Sequence, residues 1–321
     1  MTVKNFLCSI SVATAIVVFG IGAAPIAPTM AAPASCAVPP EHTALPKPSP
    51  TARPQVGQAA TPNATPIAQP RATEPSGSEQ LTADLGSVAN ALAACLSAND
   101  AETVVKLTTP SYLGSLYGLS EPLTAERYLA AAAELDPIPM RIVSLTNVEQ
   151  RGTGSASAEV LYVLGNQLVR AQWEFVLAPR EARSPGKSAW QVNTAQELSL
   201  KVPSDSDTIE VTLKEYAITL EPSASGPDVV LNGTNTGALD HEMLVLRLAP
   251  GYTVQDLLKA TGPGLPDEVT FVGQRTVPAG DSAQLILTEL PKGSYLVTSL
   301  FSGSDGMPEL AKGMSATFTV R

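Results

Sequence analysis

Asp240-His241-Glu242-Met243 opens a series of four blocks, followed by Val277-Pro278-Ala279-Gly280, Gly293-Ser294-Tyr295-Leu296-Val297-Thr298-Ser299 and Gly313-Met314. They lie among short segments in which apolar and polar residues alternate with a period of two, separated by Pro, Gly and Asn turn residues. The predicted strands are residues 209–213, 228–232, 242–248, 282–287, 294–300 and 315–320, and only residues 254–260 have helical character. This pattern predicts an all-β sandwich or barrel over residues 205–321.

The order and spacing of the four blocks resemble those of plastocyanin-type cupredoxins, over about a third of the chain. The resemblance implies a Greek-key β-sandwich with a copper site at one end. By position, the first copper-binding His corresponds to His241 and the axial Met to Met314. The Cys ligand corresponds to Ser299, and the second His corresponds to Glu309.

Two of the four copper ligands are therefore missing, and nothing nearby replaces them. No cysteine follows Cys95 and no histidine follows His241. A blue-copper site depends on a soft thiolate, whereas a serine hydroxyl stays protonated near neutral pH. We therefore expect no cofactor. The loops that carry His241, Ser299, Glu309 and Met314 are predicted to form a binding surface, because loops cluster at this end.

Two further interpretations of this end stay open. His241, Glu309 and Met314 could hold a weak divalent metal, and a chain that held copper there would be a copper-binding or electron-transfer protein. Alternatively, His241 is an exposed turn histidine and Met314 packs under the end of the sandwich.

The first 34 residues predict an export signal. Lys4 precedes an uncharged apolar run, and Ala32-Pro33-Ala34 offers a cleavage site between small residues. An uncleaved anchor and lipidation at Cys36 are alternatives, and either would attach the chain to a membrane. Residues 35–78 are rich in Pro, Ala and Thr and predict a disordered linker. We expect an extracellular or cell-envelope protein.

Two cysteines remain once the signal, which contains Cys8, is removed. In an oxidising compartment, Cys36 and Cys95 could form a disulfide between the start of the linker and the first helical region. Alternatively, both are unpaired thiols, with Cys95 buried on a helix.

Residues 79–200 predict an α+β domain in which helices precede an antiparallel sheet. The helices are predicted at residues 81–96, 101–107 and 110–117 and from the Thr124 cap to residue 135, and the strands at residues 140–149, 155–164, 167–177 and 189–197. In the third strand, Ala171, Trp173 and Phe175 share one face. Asn99-Asp100-Ala101 and Trp190-Gln191-Val192 resemble the corresponding parts of the SnoaL-like or nuclear-transport-factor cone fold.

The cone resemblance implies an apolar pocket, in which enzymes of the family place an Asp or a His/Asp pair. No histidine lies between His42 and His241, so the candidates are Asp136, Glu159, Glu174, Tyr112 and Tyr117. A carboxylate on a strand usually faces solvent and a tyrosine usually packs, so we predict no catalytic residues. The alternative is a small-molecule isomerase or dehydratase that uses this pocket.

Composition and missing motifs exclude several classes of function. The chain has 20 Lys and Arg against 30 Asp and Glu, and its formal net charge of -10 disfavours nucleic acids and anionic membrane surfaces. His241-Glu242 lacks the second His of a zincin, and there is no Gly-x-Ser-x-Gly elbow, phosphate-binding Gly-rich loop or Cys-x-x-Cys pair. We expect an exported, non-enzymatic two-domain protein that binds an unknown protein or small molecule outside the cytoplasm.

Overall fold

The computed structural model describes residues 36–39, 42–43, 77–132, 137–179, 187–221, 223–260, 265–303 and 305–321. The predicted export signal and most of the predicted linker lie outside these ranges. Within them, the chain is mostly β-structure with a few helices, and its strands form two sheets. None of the helices in the described ranges combines the length and the hydropathy needed to cross a bilayer.

The N-terminal part of the fold extends to residue 197. Its elements are β1 (His42–Thr43), α1 (Gly77–Ser97), α2 (Ala101–Leu107), α3 (Pro110–Leu116), α4 (Ala125–Ala132), β2 (Met140–Gly152), β3 (Ser155–Leu164), β4 (Gln167–Pro179) and β5 (Lys187–Glu197). Local signals begin two of the helices. Asp100 caps α2 by accepting a hydrogen bond from the Thr103 N–H, and Thr109 caps α3 just before Pro110.

Strands β2 to β5 form an antiparallel meander that packs against the helices. Ala171, Trp173 and Phe175 are buried and Glu174 is exposed, which confirms the predicted alternation in β4. The turn between β3 and β4 contains Gly165, whose φ of 62° is a left-handed conformation that favours glycine.

The first described residues are attached to this part of the fold. A disulfide joins Cys36 to Cys95, which lies on α1 and is fully buried. Strand β1 pairs antiparallel with β5, placing His42 opposite Ser188. Of the two alternatives for the cysteines, the structure therefore has the disulfide, and these residues of the predicted linker lie on the folded protein.

The C-terminal part begins at residue 207 and is a β-sandwich. Its elements are β6 (Asp207–Lys214), β7 (Ala217–Leu220), β8 (Ser223–Ala224), β9 (Val229–Asn235), β10 (His241–Leu248), α5 (Val254–Lys259), β11 (Val269–Val277), β12 (Ser282–Leu287), β13 (Gly293–Thr298), a 3₁₀ helix (Glu309–Lys312) and β14 (Ser315–Val320). One layer has the strand order β12-β9-β6-β7, and the other has the order β11-β10-β13-β14-β8. Leu231 in the first layer and Val245 and Phe318 in the second are fully buried in the core between them.

The second layer is covered on its outer face as well. Leu244, Leu246 and Leu296 form a separate cluster there, against which Val254 and Leu257 of α5 pack. Strand β10 is therefore buried on both faces, which explains why nearly all of its residues are buried.

The two parts share a sheet. Strand β4 is bordered by β3 on one edge and by β5 on the other. The pairing of β4 with β5 begins only at Ala171, and the first residue of β4, Gln167, pairs instead with Leu287 of β12. The turn between β3 and β4 inserts against β11, where the Asn166 N–H donates to the Val272 carbonyl at 2.7 Å. One nine-stranded sheet therefore runs from β1 to β7 through both parts.

Four strands of the described residues were not predicted, namely β1, β7, β8 and β11. Strand β11 is nine residues long, but it contains Gly273 and its pairing with β10 shifts register between Val245 and Leu246, so its alternation is broken. Helix α1 starts at Gly77, inside the predicted linker, and α4 is described to Ala132, whereas the prediction continued to residue 135.

Candidate functional site

The site proposed from the sequence lies at one end of the sandwich, where β10 begins. His241 is the first residue of β10 and is fully buried. Its Nδ1 atom lies 3.0 Å from Oε2 of Glu309, which is also buried. Glu309 opens the 3₁₀ helix, and its N–H donates to the Phe301 carbonyl at 2.9 Å. The structure thus brings together two residues 68 positions apart.

The second nitrogen of the His241 ring has no partner among the described residues. Nε2 is buried and makes no hydrogen bond to them. When Nδ1–H donates to the Glu309 carboxylate, Nε2 carries a lone pair in an apolar environment. This atom is the one unsatisfied polar group of the described site.

Ser299 and Met314 are packed into the same end. Ser299 is fully buried, and its hydroxyl oxygen lies 3.4 Å from the Phe301 N–H, which donates to it. Its carbonyl accepts a hydrogen bond from Leu310 N–H at 2.9 Å. Met314 is fully buried in the sandwich core. Both residues hold the loop and the 3₁₀ helix in place, and neither is open to solvent.

The prediction of an exposed turn histidine is wrong, because His241 is sealed inside. The burial follows from strand geometry. His241 shares the inward face of β10 with Met243 and Val245, while the 3₁₀ helix covers the end of the core through Glu309.

Glu242 is a buried carboxylate that sequence analysis did not single out. It belongs to the opposite face of β10, beside the cluster of Leu244 and Leu246. One oxygen lies 3.4 Å from the Leu300 N–H. Burial raises the pKa of Glu242 to about 7, the Leu300 N–H lowers it and the Glu309 carboxylate raises it further. The sequence signal that could have identified Glu242 as buried is its position next to His241 among the hydrophobic residues of a predicted strand.

Exposed apolar side chains lie around this end, and sequence analysis missed them too. Tyr216, Leu239 and Met307 are 40%, 49% and 51% exposed, and we call them the end patch. The Glu215 carboxylate accepts the Leu239 N–H at 3.2 Å, which ties the Tyr216 turn to the residues before His241.

Lys312 connects the other two members of the end patch. Its Nζ lies 4.7 Å above the Tyr216 ring and 2.6 Å from the Asp305 carboxylate, which accepts the Met307 N–H. Tyr216 has a φ of 63°, which is uncommon for a bulky residue and is maintained by such contacts.

The donors present do not fit a blue-copper site. His241, Glu309 and Met314 supply an imidazole, a carboxylate and a thioether, but no thiolate, and the carboxylate already binds Nδ1. Cys36 and His42 of the predicted linker do not restore the missing ligands. Cys36 is bonded to Cys95 in the N-terminal part, and the backbone of His42 pairs with Ser188. Cys36, Cys95 and Asp100 lie close enough to share a metal, but the disulfide occupies both sulfurs.

The candidate catalytic residues of the N-terminal part do not converge. Tyr112 and Tyr117 are buried, and burial raises the pKa of both hydroxyls well above the usual range. Glu159 is bound by Arg170 at 2.6 Å, which lowers the pKa of its carboxyl. Glu174 is exposed. Asp136 lies outside the described residues.

The interior beside these residues is aromatic. The Trp173 ring lies 5.9 Å from Tyr112, 5.8 Å from Tyr162 and 6.1 Å from Phe175, measured between ring centroids. The buried Nε1–H of Trp173 has no partner among the described residues. These rings fill the space between α3 and the sheet.

Solved structures that are similar to this chain include blue-copper proteins. Reduced auracyanin from Roseiflexus castenholzii is 20% identical over 36% of this chain and 98% of its own, with a TM-score of 0.26. Auracyanin A from Chloroflexus aurantiacus is 17% identical over 36% and 98% of the two chains, with a TM-score of 0.26. The McoA multicopper oxidase of Aquifex aeolicus is 12% identical over 49% of this chain and 41% of its own, with a TM-score of 0.23. No protein-family model and no curated protein sequence matches the chain.

Proposed function

We propose that this chain is an exported, non-enzymatic binding protein whose C-terminal part is a cupredoxin-like sandwich without a copper site. One observation carries the proposal. The carboxylate of Glu309, at the position of the second copper-binding His, binds the imidazole of His241, at the position of the first. Ser299 occupies the position of the thiolate and hydrogen-bonds within its own loop. The copper end has become a packed base for the loops around it.

The same proposal divides the chain into a signal (1–34), a Pro-rich linker (35–78), a SnoaL-like cone (79–200) and the sandwich (205–321). Support comes from the hydrophobic clusters, since those of the helices with β2 to β5 and those of the sandwich share no residue. The disulfide between Cys36 and Cys95 is typical of an oxidising compartment outside the cytoplasm.

Binding is assigned to the end patch rather than to the buried residues beneath it. Exposed Tyr, Leu and Met side chains contribute to the free energy of binding when a partner covers them. A protein is the partner that fits best, because the patch combines exposed apolar side chains with the Lys312–Asp305 ion pair.

The binding assignment is tested by removing apolar surface without disturbing the core. The full chain and its Leu239→Ser and Met307→Ser variants are cross-linked to proteins of the cell envelope, and the captured proteins are identified. Leu258→Ser, which changes a side chain of similar exposure on α5, is the matched control. We expect both end-patch variants to lose partners that the control retains. If all three variants capture the same proteins, binding does not occur at this end.

A copper-binding function is the second candidate, favoured by the unpartnered Nε2 of His241. Its test is addition of copper to the full chain, followed by dialysis, metal analysis and visible spectroscopy, with His241→Ala as the control. We expect no blue colour and no bound copper that depends on His241. Stoichiometric copper in the wild type that is lost in the variant would establish the metal site and overturn our assignment.

A further inference from the structure

A polar cleft lies where the two parts of the molecule meet, away from the end patch. Its volume is about 560 Å³, within the range of about 300–1,000 Å³ common for small-molecule sites. Its floor is the outward face of β9 and β12, and its walls come from β4, β11 and the residues that follow β5. The cleft therefore exists only because the shared sheet holds the parts together.

The floor of the cleft is a ladder of uncharged polar side chains. Asn232 donates from Nδ2 to Glu210 at 2.8 Å and accepts from Nε2 of Gln284 at 3.0 Å. One step along the same strands, the hydroxyls of Thr234 and Ser282 lie 3.1 Å apart. These side chains point outward because the intervening residues of each strand face the sandwich core. Strand β9 is paired on both edges, so it presents side chains, and not backbone groups, to a ligand.

Two arginines in the walls are each bound by a carboxylate and a backbone carbonyl. Arg275 binds Glu197 through two hydrogen bonds of 2.5 Å and donates from Nε to the Gln284 carbonyl. Arg170 binds Glu159 through bonds of 2.6 and 2.7 Å and donates to the Ser199 carbonyl. Each guanidinium uses three of its five N–H groups in this way, which leaves two fixed donors on each.

The charge of each arginine in the walls is cancelled by its carboxylate partner. Two guanidinium groups face two carboxylates, so these four charges sum to zero, and Glu210 at the end of the ladder leaves one net negative charge. An anionic ligand would therefore meet no net attraction. A cation would meet the two arginines.

Apolar surface and one further donor complete the lining. Leu168, Leu198 and Leu200 contribute aliphatic groups. Gln167 is only 7% exposed, and its side-chain oxygen accepts the Gln274 N–H at 3.0 Å, so its amide nitrogen is the group left to donate.

We propose that this cleft binds a neutral oligosaccharide. Sugar hydroxyls donate and accept together, and the amides and hydroxyls of the floor do the same. The aliphatic side chains can cover the C–H faces of sugar rings, and the pairing of each arginine with a carboxylate leaves no free positive charge in the walls to favour an anion. Donors that are already fixed by their carboxylates lose little conformational entropy on binding. This site is independent of the end patch, and neither proposal depends on the other.

The test uses the full chain and three soluble probes, namely cellotetraose, maltotetraose and tetra-N-acetylchitotetraose. Each is titrated by calorimetry, and the backbone amides of residues 230–234 and 282–286 are followed by NMR. We expect saturable binding of at least one probe and shifts confined to the cleft. Asn232→Ala and Gln284→Ala should each weaken that binding about tenfold. Gln255→Ala, an exposed glutamine on α5, is the matched control and should bind like the wild type.

Three outcomes would overturn the proposal. One is the absence of saturable binding of any probe up to about 10 mM. Another is binding that the two cleft variants leave unchanged. The last is tighter binding of an acidic tetrasaccharide, tetragalacturonate, or of an uncharged Gly-Ser peptide than of every neutral sugar. Circular dichroism of each variant confirms that its fold is intact before binding is measured.

Discussion

His241 and Glu242 are neighbours on β10, yet the pleat of the strand sends their side chains to opposite faces. His241 closes the end of the sandwich core and binds Glu309. Glu242 lies with the outer cluster, where its carboxylate has one long hydrogen bond to Leu300. Two ionisable groups are thus buried at adjacent positions. His241 has a hydrogen bond of 3.0 Å to Glu309, whereas Glu242 has only one of 3.4 Å, so the free-energy cost of burying the two groups differs.

Glu242 should make the stability of the protein depend on pH. Its folded-state pKa is about 7, above the usual 4.5, so the folded state binds more protons than the unfolded state between these values. The stability associated with protonated Glu242 is fully present below pH 4.5 and is lost as the pH rises through 7. Glu242→Gln should therefore raise the unfolding free energy by about 2–3 kcal/mol at pH 8 and change it little at pH 4.

Urea denaturation at pH 4, 6 and 8 measures the Glu242 effect. Glu268→Gln, an exposed carboxylate that precedes β11, serves as the control and should show no such trend. A Glu242→Gln variant that is equally stabilised, or equally destabilised, at all three pH values would contradict the prediction.

The buried pair of His241 and Glu309 should contribute measurably to stability. Glu309→Ala leaves Nδ1 of His241 without a partner as well as Nε2, so the unfolding free energy should fall by about 2 kcal/mol. Glu309→Gln keeps an oxygen acceptor at the same position and should lose less. Denaturation of the two variants separates the hydrogen bond from simple packing, because equal losses would mean that the contact with His241 contributes nothing.

At the scale of elements, the segment that begins at Cys36 acts as a strap on the N-terminal part. The disulfide joins it to α1, and β1 extends the sheet beyond β5. The edge of β5 is thereby paired at Lys187 and Ser188, which protects that end of the sheet. The strap also explains why residues inside a Pro-rich segment are ordered: a covalent bond has already removed much of their conformational freedom.

Reduction of the disulfide should destabilise the protein. The cysteines are 59 residues apart, and closing a loop of that length lowers the entropy of the unfolded chain by an amount worth about 4 kcal/mol. A reductant should therefore lower the unfolding midpoint of the wild type but leave Cys36→Ala/Cys95→Ala unchanged. Thiol titration shows when reduction is complete, and a wild type whose midpoint then stays constant would refute the prediction.

At the scale of the whole molecule, the turn between β3 and β4 joins the two parts. The Asn166 N–H and carbonyl bond to Val272 and Thr288, and Gln167 pairs with Leu287. The close approach requires glycine at 165, where an added Cβ would lie 2.6 Å from the Val272 carbonyl oxygen. Three sequential residues therefore carry much of the connection on which the cleft depends.

Gly165→Ala should loosen this connection, and Gly154→Ala offers a matched control. Both glycines have positive φ, 62° and 88°, so each change costs about 1–2 kcal/mol in backbone conformation. At Gly154 the new Cβ would only touch Leu177, at 3.4 Å. We expect Gly165→Ala to lose more stability and, in calorimetry, to separate the unfolding of the two parts, whereas Gly154→Ala should lose only the backbone contribution and keep the unfolding of the two parts coupled as in the wild type. Identical thermograms for the two variants would show that the turn does not couple them.

Much of the architecture was predictable because periodicity and capping are local properties. The spans of α2, β3, β12 and β14 match their predicted limits, since each lies between clear turn or capping signals. Strand β11 was missed because Gly273 interrupts its pattern and its pairing is irregular. The sequence also shows directly that the thiolate and the second imidazole of a blue-copper site are missing from the C-terminal part, because no Cys follows residue 95 and no His follows residue 241.

Contacts between residues far apart in the sequence could not be predicted from local sequence patterns. That Glu309 binds His241, that the 3₁₀ helix seals both from water, and that β12 joins the sheet of β4 all depend on how complete elements pack. Periodicity shows which face of a strand is apolar. Which element packs against that face depends on how the whole core is buried. The absence of a cysteine and of a second histidine from residues 242–321 could therefore be read from the sequence, whereas the buried pair and the cleft depend on how the assembled sheets pack.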